Sequence, residues 1–331
     1  MRCLTVAVLL LSSALARALP PGMGEIPLEL RDGLLWVKVA TPQSTNLLNF
    51  LVDSGANVSV VDLRVARKLR VKLGRRVQVR GVNAQTEGYW PTALSCTATN
   101  VPLPDNFLAV DLGRLSQSCT YSVDGLLGAD FFMDRVVQID FVGRRLRILE
   151  SFGFLSDLLT ALEPESIPLT RPSGTLSPTG GEGWGEGDRF IGSAPSSWMG
   201  EILPLEVRRG VLQIQIQVNS HAPDWVRLDT GCASPLEWVV SHDSPRAESF
   251  KMSIGLAETR IPQAWVSVRL GREKHQVMAG LHRRELFPSE IGLLGAGFLS
   301  RYARVTLDAK GRRLILEPRS MVHSMKGCLP F

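Results

Sequence analysis

Phe50-Leu51-Val52-Asp53-Ser54-Gly55-Ala56 is an apolar run that stops at a carboxylate, a hydroxyl and a glycine. The chain carries a second version, Val226-Arg227-Leu228-Asp229-Thr230-Gly231-Cys232, 176 residues later. Each copy is followed by a second matching block. Gly125-Leu126-Leu127-Gly128-Ala129-Asp130-Phe131-Phe132 answers to Gly292-Leu293-Leu294-Gly295-Ala296-Gly297-Phe298-Leu299. A third pair closes the series, Gln138 to Ile148 against Thr306 to Leu316. Three blocks in one order mark an internal duplication, so the chain reads as two halves of one design.

Around these blocks the pattern is that of strands. Leu34 to Val39 and Val211 to Val218 are apolar or alternating over strand lengths, with turn residues on both sides. A Val142-Gly143 turn precedes Arg144 to Leu149 and a Lys310-Gly311 turn precedes Arg313 to Leu316, so both segments read as hairpin strands. Gly128 to Phe132 and its counterpart open short helices, and Phe152 to Leu162 has apolar residues at helical spacing. From Pro164 to Gly200 the composition shifts to Gly, Pro and Ser without apolar periodicity, which reads as a linker. The expected organisation is a first lobe over 25–150, a short helix and linker over 151–200, a second lobe over 201–318 and a tail over 319–331. The expected class is all-β with short helices.

An Asp-Ser/Thr-Gly triplet at the end of an apolar strand sets a carboxylate on a tight turn, with a hydroxyl free to bond the neighbouring backbone. One such triplet is an ordinary turn. Two copies related by a pseudo-two-fold axis would bring Asp53 and Asp229 face to face, where both cannot ionise cheaply. They would share a proton and titrate as a coupled pair, one acid and one base. That pair suits the activation of water against a peptide carbonyl, and it requires no metal or cofactor.

At these residues the chain resembles the aspartic peptidases, specifically the retropepsin-like group as a single-chain tandem, over 25–150 and 201–318. The resemblance implies two pseudo-two-fold-related acid-protease lobes of retropepsin-like β-barrel type. It implies that Asp53 and Asp229 are catalytic, and that Ser54-Gly55 and Thr230-Gly231 support the active-site loops. It also implies that Leu126-Leu127-Gly128 and Leu293-Leu294-Gly295 back those loops. Flap hairpins would then fall at Asn83-Ala84-Gln85 and Ala257-Glu258-Thr259, although neither has a Gly-Gly tip. The chain departs from the family at Cys232, where a small residue such as Ala usually follows the glycine.

Composition narrows the remaining readings. At 331 residues, 44% hydrophobic and 21% charged, the chain can bury a core, which excludes disorder throughout. The excess of 37 basic over 32 acidic residues is spread along the sequence, so nucleic acid is not an expected partner. Arg2, an apolar stretch around Leu9-Leu10-Leu11, and Ala14, Ala16 and Ala18 read as a signal peptide over 1–18. The apolar run is shorter than the roughly 20 residues of a membrane span. We therefore expect an exported chain, periplasmic or extracellular, without a stable membrane anchor. Export leaves Cys96, Cys119, Cys232 and Cys328, with one bridge per half as the economical pairing. Cys232 tied to Cys328 and Cys232 as a buried thiol are both open.

No CxxC, HExxH or close His-Cys cluster supports a metal site, and no GxSxG surrounds Ser54. Asn57-Val58-Ser59 matches a glycosylation sequon but sits within the catalytic loop, and reads as chance. The expected function is peptide-bond hydrolysis of a peptide or protein substrate by a monomer whose lobes pair within the chain. Two alternatives are a catalytically inactive peptide-binding protein with the same cleft, and a dimer pairing like lobes of two chains.

Overall fold

A computed structural model describes residues 24–82, 84–149, 200–240, 247–254 and 258–319. Residues 1–18, 152–162, the 164–199 linker and Cys328, on all of which expectations were placed, lie outside these ranges. The described chain is predominantly β with a few short helices.

Two sheets make up the fold. The 10-stranded sheet is built only from residues of the first half. The 13-stranded sheet takes Gly24–Pro27, Val136–Asp140 and Arg145–Leu149 from the first half and adds the strands of the second. Its seam is the antiparallel pairing of Val136–Asp140 with Tyr302–Asp308, in the register Val136↔Asp308 to Asp140↔Arg304. On each side of the seam comes the hairpin partner, Arg145–Leu149 or Arg313–Pro318, and then the strand that opens the half, Gly24–Pro27 or Glu201–Arg208. The order is therefore palindromic about the seam. Both seam strands bury Val, Ile and Leu, and one continuous apolar core runs through them from one half into the other.

The two hairpins close alike. Asp140 Oδ1 accepts the Gly143 N–H at 2.6 Å and Asp308 Oδ1 accepts the Gly311 N–H at 2.7 Å. Arg144 and Arg312 each take a positive φ, 51° and 54°, to complete the turn. The expected strands at Leu34 to Val39 and Val211 to Val218 are present as Leu34–Thr41 and Val211–Val218. The expected short helices are Asp130–Met133 and Ala296–Leu299. Leu63–Lys68 is a further short helix, capped by the buried Asp62 carboxylate, which accepts the N–H groups of Arg64 and Val65.

What positions the site is a crossing that occurs once in each half. Ser44–Val52 runs parallel to Gly125–Leu127, and Asp224–Asp229 runs parallel to Gly292–Gly295. The Leu-Leu-Gly strand is flanked on its other side by an antiparallel neighbour, Val60–Asp62 or Leu236–Val239. Both Asp-containing loops thus leave a central buried strand, where neighbours on either side fix the backbone.

Cys96 and Cys119 do not form the expected bridge: among the described residues Cys96, Cys119 and Cys232 are free thiols. Cys96 is buried in the main core, whereas Cys119 packs against a separate small cluster around Trp36 and Leu126. The two thiols serve as apolar filling in different places.

Candidate active site

Val52 and Leu228 are fully buried, and the chain turns immediately beyond each, bringing the two Asp loops together. The contact is reciprocal. The Ser54 N–H donates to Thr230 Oγ1 at 2.9 Å, and the Thr230 N–H donates to Ser54 Oγ at 3.1 Å. Each hydroxyl passes its own proton on: Ser54 Oγ donates to the Leu228 carbonyl and Thr230 Oγ1 to the Val52 carbonyl, both at 2.8 Å. Ser54 and Thr230 have no exposed surface, so these four bonds are made away from water.

The grip sets the carboxylates beside one another. A Cβ on Gly55 would lie 2.4 Å from Asp229 Cγ, and one on Gly231 would lie 2.5 Å from Asp53 Cγ. Each glycine is the floor under the opposite carboxyl, and any side chain there would displace it. The Gly55 and Ala56 N–H groups both donate to Asp53 Oδ1 at 3.0 Å. Asp229 Oδ1 receives one, from Gly231 at 2.9 Å. Burial pushes both carboxyls up. For Asp53 a hydrogen bond from Asp229, the two backbone N–H groups and the Arg227 charge pull back. Asp229 is driven well above the usual carboxylate range, because the charge of Asp53 adds to burial. The two carboxyls are therefore unequal, with Asp229 raised the further.

Behind each loop stands its Leu-Leu-Gly block. The Asp53 N–H donates to the Leu127 carbonyl at 2.9 Å. The Ala129 N–H donates to the Ala56 carbonyl at 2.7 Å, and in the second half Ala296 does the same to Cys232 at 2.8 Å. Leu126, Leu127, Leu293, Leu294 and Gly295 are buried strand residues, and Gly128, just past the end of its strand, is buried as well. Ser59, the third residue of the sequon, is buried with its hydroxyl on Asp130, and the Asn57 amide donates to the Arg209 carbonyl at 2.5 Å across the halves. Both groups are engaged in holding the loop.

The flap candidates are hairpins. Arg75–Gly81 pairs with Ala84–Ala93, ending at Gly81↔Ala84, which sets Ala84 and Gln85 at the start of the returning strand. Ser249–Ile254 pairs with Glu258–Leu270, which sets Glu258 and Thr259 likewise. Asn83 and Ala257 lie outside the described residues. Lys251, on the second hairpin, pairs with the buried Glu237 and Ser234, and His282 Nε2 meets the other Glu237 oxygen at 2.8 Å. Burial alone would raise Glu237, but the His282 and Lys251 contacts hold it below the usual range. Cys232 Sγ lies 3.9 Å from both Ser234 O and Glu237 Oε1, and burial pushes its thiol well up.

Arg227 and Glu290 are buried beside the dyad and were not anticipated. The signal was available: superposing the repeats sets the charge of Arg227 on the apolar Leu51. Among the described residues no cluster of three or more His, Cys, Asp or Glu side chains is arranged to hold a metal ion. None of their helices is long and apolar enough to cross a membrane. No family model matches the chain, and no curated protein matches it.

Proposed function

We propose that this chain is an aspartic endopeptidase of the retropepsin-like type, with two lobes that pair within one exported polypeptide. The reading rests on the four reciprocal hydrogen bonds between Ser54 and Thr230, which hold Asp53 and Asp229 on opposed, buried loops. The palindromic strand order about the Val136–Asp140 and Tyr302–Asp308 seam supports a monomer containing both lobes.

In this reading a water sits between the carboxyls. Ionised Asp53 accepts a proton from that water as its oxygen attacks the substrate carbonyl carbon. Protonated Asp229 donates a hydrogen bond to the carbonyl oxygen, where negative charge develops. Collapse of the tetrahedral intermediate breaks the C–N bond, the amine leaves with a proton from the dyad, and the pair returns to one shared proton. In this reading the two hairpins serve as flaps over the substrate, and the grip supplies the fixed separation that the attack needs.

The test is cleavage of a denatured protein by the purified chain from pH 3 to 7, beside Asp53→Asn and Asp229→Asn variants of verified fold. Loss of activity in both variants supports a shared dyad. Equal activity in all three is a contaminant and removes the reading. A folded wild-type chain that holds a statine-containing peptide without cleaving substrates would be a binding protein instead.

A further inference from the structure

Arg227 breaks the two-fold symmetry of the sequence beside the dyad. It stands two residues before Asp229, as Leu51 stands two before Asp53, yet where Leu51 packs against Trp36 and Leu126 the guanidinium is boxed in by polar partners. Its Nε and Nη2 grip both Glu290 oxygens at 2.6 and 2.5 Å, and its flat face lies 3.8 Å from the centre of the Phe287 ring. Arg227 and Glu290 are 3% and 2% exposed, so the pair is an enclosed fixture.

The third nitrogen reaches across to the other half: Arg227 Nη1 donates to the Gly55 carbonyl at 2.5 Å. That carbonyl and the Ala56 N–H belong to a single peptide group. Withdrawing electrons at its oxygen strengthens the donor at its nitrogen. The Ala56 N–H is one of the two that bind Asp53 Oδ1. The second loop has no such relay. Leu51 offers nothing to the Gly231 carbonyl, and although the Ala56 and Cys232 N–H groups both bond the backbone oxygen of their Asp, at 3.1 and 3.2 Å, it is Ala56 that also reaches the carboxylate.

We propose that Arg227 is a positioning residue that acts through the Gly55–Ala56 peptide to assign the negative charge of the pair to Asp53 and the proton to Asp229. The inference rests on the peptidase reading and goes beyond it by naming what breaks the symmetry of the two carboxyls. The charged and titratable groups near the pair are Arg227 with Glu290, and the Cys232 thiol backed by Glu237 with its partners Lys251 and His282. The charge of Arg227, offset in part by Glu290, lowers both carboxyls through space, whereas the bond to the Gly55 carbonyl reaches Asp53 alone.

Removing Arg227 alone would strand the Glu290 carboxylate in the interior. The test variant is therefore Arg227→Leu combined with Glu290→Leu, which recreates the apolar arrangement of the first half. Arg227→Lys serves as the second variant, because a compact ammonium cannot hold both Glu290 oxygens and the Gly55 carbonyl at once. The full-length chain, 13C-labelled at aspartate, is titrated by NMR, and Asp53 is assigned by its loss in Asp53→Asn.

The Asp53 titration and the acid limb of kcat/KM should both move up by about one pH unit in the double variant, and by less in Arg227→Lys. An Asp53 titration unmoved in both folded variants overturns the assignment. So does a shift confined to Asp229, or a uniform loss of rate with the acid limb in place. The NMR titration reads Arg227 whether or not the chain cleaves peptides, so an inactive wild type with a shifted Asp53 would sink the peptidase reading while leaving the relay standing.

Discussion

Replacing Thr230 by Val keeps the shape of the side chain and deletes one oxygen at the centre of the grip. That oxygen accepts the Ser54 N–H at 2.9 Å and donates to the Val52 carbonyl at 2.8 Å. Thr230 and Ser54 are fully buried, so water cannot replace either bond. A buried polar group left without its partner costs about 1–3 kcal/mol. Two such groups set an expected loss of about 2–6 kcal/mol. Thr230→Ser retains both bonds and should cost only about 1 kcal/mol for the missing methyl group.

Guanidinium denaturation of wild type, Thr230→Val and Thr230→Ser measures this, with the slope m checked for constancy. Ser54→Ala added to Thr230→Val should cost less than the sum of the single changes, since the four bonds join the same two loops. A loss below about 0.5 kcal/mol in Thr230→Val, the range of a surface substitution, would refute the grip as a buried fixture. So would a Ser variant as damaged as the Val variant.

Three further outcomes are expected. Gly55→Ala and Gly231→Ala push a methyl to 2.4 and 2.5 Å from the opposite carboxyl carbon. Each should lower kcat/KM by about 100-fold or more in a protein that still folds. Because the Asp229 carboxyl is raised far above its ordinary value of 3.8, the folded state holds a proton that the unfolded chain releases. Stability is then greatest below the unfolded value and falls as pH rises toward the folded one. Asp229→Asn should flatten that fall in pH-resolved denaturation, and an unchanged slope would contradict the shift. Burial pushes the Cys96 thiol up to about 12, so Cys96 should resist alkylation at pH 8 until the protein unfolds, while the partly exposed Cys119 labels before it. Peptide mapping after timed alkylation reads both.

The duplication made much of the architecture readable from residues alone. Repeated blocks signal repeated structure because each block needs the same neighbours to bury its apolar face. The Asp-Ser/Thr-Gly loops, the Leu-Leu-Gly strands behind them and the Gly143 and Gly311 hairpins all depend on residues adjacent in the chain. Their backbone geometry follows from local chemistry: a glycine at a tight turn, an Asp accepting its N–H, apolar residues alternating along a strand.

Pairing between distant residues was beyond that reach. Cysteine count and compartment pointed to a Cys96–Cys119 bridge, but connectivity is settled by where two side chains come to rest, and these settle in different apolar clusters. Arg227 stood in plain view as a charge inside an apolar strand. Its meaning depends on Glu290, 63 residues away, and on the Gly55 carbonyl, 172 residues away. No local pattern encodes such partners. Glu290 becomes a neighbour when the second half folds, and the Gly55 carbonyl only when the two halves close on one another, which turns two similar loops into a pair with unequal carboxyls.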